Sequence, residues 1–172
     1  NREACRFAYR DSVFKHELKG NFFITRVHLR LHKRFTPRIT YGDIAGRLKE
    51  KDILTPTAME VSEAVTAIRR SKLPDVGQLG SAGSFFKNPV VEAATFGRIK
   101  AAHPEMPNFP QADGTVKIPA GWLIEQCGWK GRRDGDVGCY EKQALVIVNY
   151  GNATGRQILD FAQRIMADVK EK

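Results

Sequence analysis

Ser84 has the densest chemistry around it. It lies in Gly80-Ser81-Ala82-Gly83-Ser84-Phe85-Phe86-Lys87-Asn88-Pro89. Glycines let a backbone approach a ligand closely and take φ values that other residues avoid. A hydroxyl just before two aromatics can be held in a dry pocket, where a proton donor is useful. The same stretch also reads as a surface turn with Phe85 and Phe86 as core anchors, the commoner outcome for Gly/Ser clusters. Formal motifs do not decide the matter. The glycines at 77, 80 and 83 do not make GxGxxG, and Gly-Lys-Ser/Thr and Gly-x-Ser-x-Gly are both absent.

Two cations deserve equal scrutiny. Lys72 follows Arg69 and Arg70 at the end of a helical pattern, where it either complements the helix dipole or faces a diphosphate. Arg10 sits among aromatics on a weakly marked strand from Phe7 to Phe14. A buried guanidinium there needs an acid, which is either an internal Asp or Glu or a bound carboxylate. Asn88 before Pro89 is explained as a helix N-cap alone. The four histidines show no HExxH spacing, and His28 with His32 reads as a solvated strand face, so no metal site is expected.

The formal net charge of +9 and a pI near 9.7 favour an anionic partner. Arg69-Arg70-Ser71-Lys72 and Lys130-Gly131-Arg132-Arg133 would suit nucleic acid. Aromatic content of only 9% and the lack of a nucleic-acid motif argue against it. No apolar run reaches the roughly 18 residues a membrane span needs. Cys5, Cys127 and Cys139 are odd in number and lack CxxC spacing, which predicts free thiols in the cytosol. The missing initiator Met suggests that the chain begins inside something longer or has been processed.

The elements that must position these residues are mixed. Phe23 to Leu31 alternates apolar and polar, predicting a half-buried antiparallel strand. Thr55-Pro56 and Thr57 with Glu60 offer competing starts for a helix through Val61, Val65 and Ile68 that stops at Lys72-Leu73-Pro74. Asn88-Pro89 predicts a second helix through Val91, Ala94, Ile99 and Ala102, ended by Pro104. A short helix covers Ala120 to Cys127, closed by Gly128. Ala144 to Asn149 reads as a buried strand. Thr154 and Gln157 cap a last helix with the stripe Ile158, Phe161, Ala162, Ile165 and Val169. Helices and strands without strict alternation give an α+β class.

Several pieces together resemble the UDP-N-acetylenolpyruvoylglucosamine reductase family, also called UDP-N-acetylmuramate dehydrogenase. They are Phe7-Ala8-Tyr9-Arg10-Asp11-Ser12-Val13-Phe14-Lys15, Thr40-Tyr41-Gly42-Asp43, Lys72-Leu73-Pro74-Asp75 and Gly83-Ser84-Phe85-Phe86-Lys87-Asn88-Pro89. Pro110-Gln111-Ala112-Asp113-Gly114, Ala120-Gly121-Trp122-Leu123-Ile124-Glu125-Gln126 and Gln143-Ala144-Leu145-Val146 continue the match in order. The pattern is closest to the longer, type I branch.

The resemblance implies a cytoplasmic, monomeric flavoenzyme of peptidoglycan precursor synthesis. NADPH would reduce FAD, and the flavin would pass hydride to the enolpyruvyl group of UDP-N-acetylglucosamine enolpyruvate. It implies Ser84 as general acid and Arg10 as stabiliser of the enolate-like intermediate. Tyr41, Lys72, Asn88, Lys130 and Gln143 are implied substrate contacts. Residues 1–72 would be the end of an FAD-binding domain, and 73–172 an α+β substrate-binding domain. Three departures stand out. The family's flavin-pyrophosphate loop and its carboxy-terminal glutamate lie outside the chain, and Phe109 replaces a tyrosine near the substrate phosphates. A UDP-sugar-binding fragment without catalysis is therefore the alternative.

Overall fold

The structure is a computed structural model that describes residues 2–172. Its contacts divide the chain into a unit ending at Pro37 and a unit Arg38–Lys172. The first contains helix α1 (Arg2–Cys5) and a 3-10 turn at Val13–Lys15, with Val13 as its buried residue. Phe7 to Phe14 forms a tight turn closed by an Ala8–Asp11 bridge rather than a strand.

Phe23 to Leu31 departs further from expectation. The segment has no regular structure, and Phe23 is 97% exposed. Among the described residues, none from 22 to 36 makes a backbone hydrogen bond. A strand exists only through its ladder. Alternation of side chains is present here, and a partner for the amides is not.

The second unit holds helices α2 (Ile44–Lys49), α3 (Ala58–Lys72), α4 (Ala93–Ala102), α5 (Ala120–Gln126) and α6 (Gly155–Glu171). Strands β1 (Gly80–Ser84), β5 (Arg133–Asp134), β6 (Val137–Cys139) and β7 (Val146–Asn149) form an antiparallel sheet in the order β1-β7-β6-β5. Strands β2 (Val90–Val91), β3 (Phe109–Pro110) and β4 (Val116–Lys117) form a second sheet, ordered β2-β4-β3. Antiparallel sheets with helices make this an α+β fold, as the sequence predicts. Among the described residues no helix is long and apolar enough to cross a membrane.

Of the two candidate starts for α3, Thr57 wins. Its Oγ1 accepts from Glu60 N–H at 3.3 Å, while Glu60 Oε2 accepts from Thr57 N–H at 2.7 Å. Ile44 and Leu48 of α2 then pack with Ala64, Val61, Val65 and Ile68 of α3. Thr154 and Gln157 repeat the capping box on α6. The buried stripe Phe161, Ala162 and Ile165 meets Ile147, Cys139, Ala144, Trp129 and Phe86. Trp129 stands edge-on to Phe161 at 5.2 Å and donates Nε1–H to Asp168 at 2.8 Å, so its polar edge is satisfied.

The expected helix after Asn88-Pro89 starts late. Val90–Val91 pairs with Val116–Lys117, and α4 begins only at Ala93 with no side-chain cap. Asn88 caps a different helix: its Oδ1 accepts from Ala120 N–H, in the first turn of α5, at 2.9 Å. Pro119 holds the N-cap position there and offers no side-chain acceptor. A residue 32 positions earlier satisfies that orphan amide instead.

All three cysteines are free thiols. Cys139 is fully buried and donates Sγ–H to Ala144 O at 3.1 Å. Burial pushes its thiol up to about 11, from an ordinary value of 9.0. Its contribution to stability is complete below pH 9 and is lost as pH rises toward about 11, because the unfolded chain releases that proton first. Alkylation at pH 8 should therefore leave Cys139 unmodified until denaturant is added. Mass mapping that finds it modified in the native protein would contradict this burial. Trypsin should cut first at Arg26, Arg30, Lys33 or Arg34, where no ladder protects the backbone. First cuts inside α6 would show the opposite order of protection.

Candidate functional site

Ser84 closes β1 at a bulge. The ladder pairs Ser81 with Val148 and Ser84 with Val146, so β1 spends one extra residue across this interval. Gly83 supplies it, with φ +68. A Cβ there would meet nothing within 4 Å. Its glycine is required by the left-handed backbone and not by crowding. Ser81 Oγ accepts from Gly83 N–H at 3.0 Å, and Leu145 O accepts from Phe85 N–H at 2.8 Å. Phe86 then enters the core, with Phe85 edge-on to it at 5.5 Å. The stretch is thus both a core anchor and a presentation device for Ser84.

Beside Ser84 opens a cavity of about 670 Å³. Tyr41, Lys72, Ser84 and Gln143 all line it. Lys72 arrives on the last residue of α3, which ends because Leu73 precedes Pro74 and takes an extended backbone, ψ 150. Gln143 sits just before β7, its Oε1 accepting from Leu145 N–H at 3.4 Å. Tyr41 is 86% exposed and forms an open wall. Among the described residues no carboxylate lines this cavity. Cations, hydroxyls and an amide without an acid favour an anionic, hydrogen-bonding ligand.

Asn88 and Lys130 are not among the lining residues. Asn88 is engaged by Ala120, and Lys130 pairs with Glu125 at 3.0 Å. Phe109 lies on β3 with the Lys117 ammonium 5.6 Å from its ring centre, and is likewise outside the lining. Arg10 belongs to the first unit. It has a left-handed φ of 50, unusual for a side chain of this size, and Lys15 Nζ donates to its carbonyl at 2.7 Å. Arg69 and Ser81 also line the cavity, although the sequence reading gives neither a place in this site. Arg69 was detectable, since it stands one helical turn before Lys72.

The bulge yields a direct test. Gly83→Ala should lower stability by about 1–2 kcal/mol, the cost of a left-handed non-glycine residue. Chemical denaturation reads this directly. An unchanged midpoint would mean that the bulge does not need its glycine.

Comparison with known proteins gives a consistent answer. The family model described as the UDP-N-acetylenolpyruvoylglucosamine reductase C-terminal domain matches residues 75–172. A reductase of that name from Chromobacterium violaceum is 54% identical over 168 residues, covering 98% of this chain and 49% of the relative. Those from Azoarcus sp. and Pseudomonas aeruginosa are 53% and 52% identical over the whole chain, which covers 49% and 50% of them. The chain therefore spans about half the length of the curated relatives it matches. With a family model over more than half its residues and relatives of this identity, the chain belongs to the UDP-N-acetylenolpyruvoylglucosamine reductase family.

Proposed function

We propose that the cavity beside Ser84 binds the UDP-sugar enolpyruvate, and that the whole protein reduces it to UDP-N-acetylmuramate. One observation carries this reading. Tyr41, Lys72, Ser84 and Gln143, far apart in sequence, line a single cavity free of carboxylates. Lys72 and Tyr41 suit the diphosphate, and the Gln143 amide suits uracil or sugar groups. Ser84 delivers the proton to the carbon next to the one that receives hydride. A serine hydroxyl is a poor acid in water, so exclusion of water and fixed orientation must compensate. Arg10 stabilises the developing enolate through the substrate carboxylate. Asn88 and Lys130 take substrate roles only by exchanging their present partners, Ala120 and Glu125.

FAD and NADPH supply the hydride in this reading. The described glycine-rich stretch does not fit the flavin pyrophosphate. Gly77 N–H is taken by Asp75 and Gly83 N–H by Ser81, while Gly80 pairs with Asn149 in the ladder. Its amides are spent internally and form no phosphate cradle. Residues 1–72 are then the end of the flavin-binding domain and 73–172 the substrate-binding domain, of a cytoplasmic monomer.

Calorimetry with UDP-N-acetylglucosamine and with N-acetylglucosamine alone tests the cavity. The nucleotide sugar should bind and the free sugar should not. Lys72→Gln should weaken the former about tenfold, as expected for loss of a charge-assisted contact. Equal binding by wild type and Lys72→Gln, or no binding of the nucleotide sugar, would overturn the reading.

A further inference from the structure

The last turn of α3 carries Arg69, Arg70 and Lys72 within four residues. A helix C-terminus presents only about half a negative charge, so dipole complementation accounts for a fraction of them. Arg69 and Lys72 are three residues apart and share one helix face, where like charges destabilise the free state. Elsewhere in the second unit carboxylates neutralise other cations: Lys130 with Glu125, Arg133 with Asp136 and Arg164 with Asp134. Among the described residues the side chains of Arg69 and Lys72 have no ion pair or hydrogen bond. The nearest candidate acid by sequence, Asp75, turns its Oδ1 to Gly77 N–H at 2.9 Å.

Position sharpens the point. Arg69 lines the cavity beside Ser84 and also a second cavity of about 640 Å³, with Leu73, Pro74 and Val76 common to both. Arg70 lines only the second, and Lys72 only the first. Arg69 therefore stands in the partition, one helical turn from Lys72.

We propose that Arg69 is a second diphosphate-binding cation, acting with Lys72 as a two-charge grip that sets affinity for the nucleotide part of the ligand. This rests on the reading of the cavity as a UDP-sugar site and adds a residue to it. A diphosphate bridge carries about two negative charges, and two cations one helical turn apart match its length and its charge. The roles divide by chemistry. Lys72 offers a compact point charge, whereas the Arg69 guanidinium offers a planar fork for two phosphate oxygens. The repulsion between them in the free protein is relieved on binding, so each contributes more in the presence of the other.

The test uses UDP-N-acetylglucosamine, UMP and uridine against the full 172-residue chain. Arg69→Gln should weaken the diphosphate ligand about tenfold to a hundredfold, the range of a lost charge-assisted contact, and leave uridine unchanged. The advantage of UDP-N-acetylglucosamine over UMP should shrink with it. Arg69→Lys should recover part of the loss and not the whole, since it restores charge without the fork. Raising salt should cost the wild type more affinity than Arg69→Gln. Arg70→Gln, which removes a neighbouring charge outside the Ser84 cavity, should bind within a few-fold of wild type. If Arg69→Gln binds as wild type does, or Arg70→Gln loses as much, the assignment to Arg69 fails while the cavity reading stands. If wild type does not bind the nucleotide sugar, both fail together.

Discussion

The edge pairing of β1 with β7, slipped by one residue at Gly83, sets the geometry from which the site is built. β7 is the buried middle of its sheet, with Val146, Ile147 and Val148 enclosed. β1 is small and exposed throughout, so it adds almost no apolar burial of its own. What holds it is the ladder, plus the two phenylalanines that follow and plunge into the core. This arrangement lets an open strand of Gly, Ser and Ala occupy a fixed place. The side-chain hydroxyl is held by a rigid neighbour and stays accessible to a ligand.

The same ladder brings the other groups near. Gln143 lies three residues before the start of β7, and α3 delivers Lys72 just before the turn that leads into β1. The capping box at Thr57 fixes where α3 starts, and Pro74 fixes where it stops. The last turn therefore presents the same residues to the cavity in every molecule. Helix length becomes a functional quantity: one residue more or less would rotate the terminal cations by about 100°.

Much of this was legible in the sequence, and the gaps have physical causes. Capping boxes at Thr57 and Thr154, the α6 stripe and the buried run Val146 to Val148 are local signals, and local signals survive into the fold. Asn88 was misplaced because an N-cap side chain can serve any nearby orphan amide, and the one it serves lies 32 residues away. Its Asn-Pro pattern specified an acceptor without specifying a recipient. Phe23 to Leu31 shows the converse. Its period-two pattern describes side chains correctly, but ladder hydrogen bonds come from a second strand that the pattern does not encode. For the site, the residues themselves point to Ser84 and Lys72, and the family resemblance adds Tyr41 and Gln143. Arg69 reads from the sequence only as part of a basic run, because it lies outside the matching motif, although its helical spacing to Lys72 is visible.

The excess positive charge is unevenly distributed, and the distribution bears on its meaning. Between Glu17 and Asp43 there is no acidic residue, and Lys19, Arg26, Arg30, Lys33, Arg34 and Arg38 stand in that interval. These six cations are a large part of the net +9. Four of them, Arg26, Arg30, Lys33 and Arg34, fall in the stretch whose backbone lacks a ladder, whereas Arg47, Lys130, Arg133, Arg156 and Arg164 of the second unit are paired with acids. A charge surplus on a segment without regular structure does not make the formed cationic face that a nucleic-acid surface needs. Outside that segment and among the described residues, Arg69, Arg70 and Lys72 at the end of α3 line concavities without an acid partner, as does Lys170 near the end of α6. The whole-chain charge is thus a poor guide to the ligand, and the local failure of Arg69 and Lys72 to find an acid is a good one.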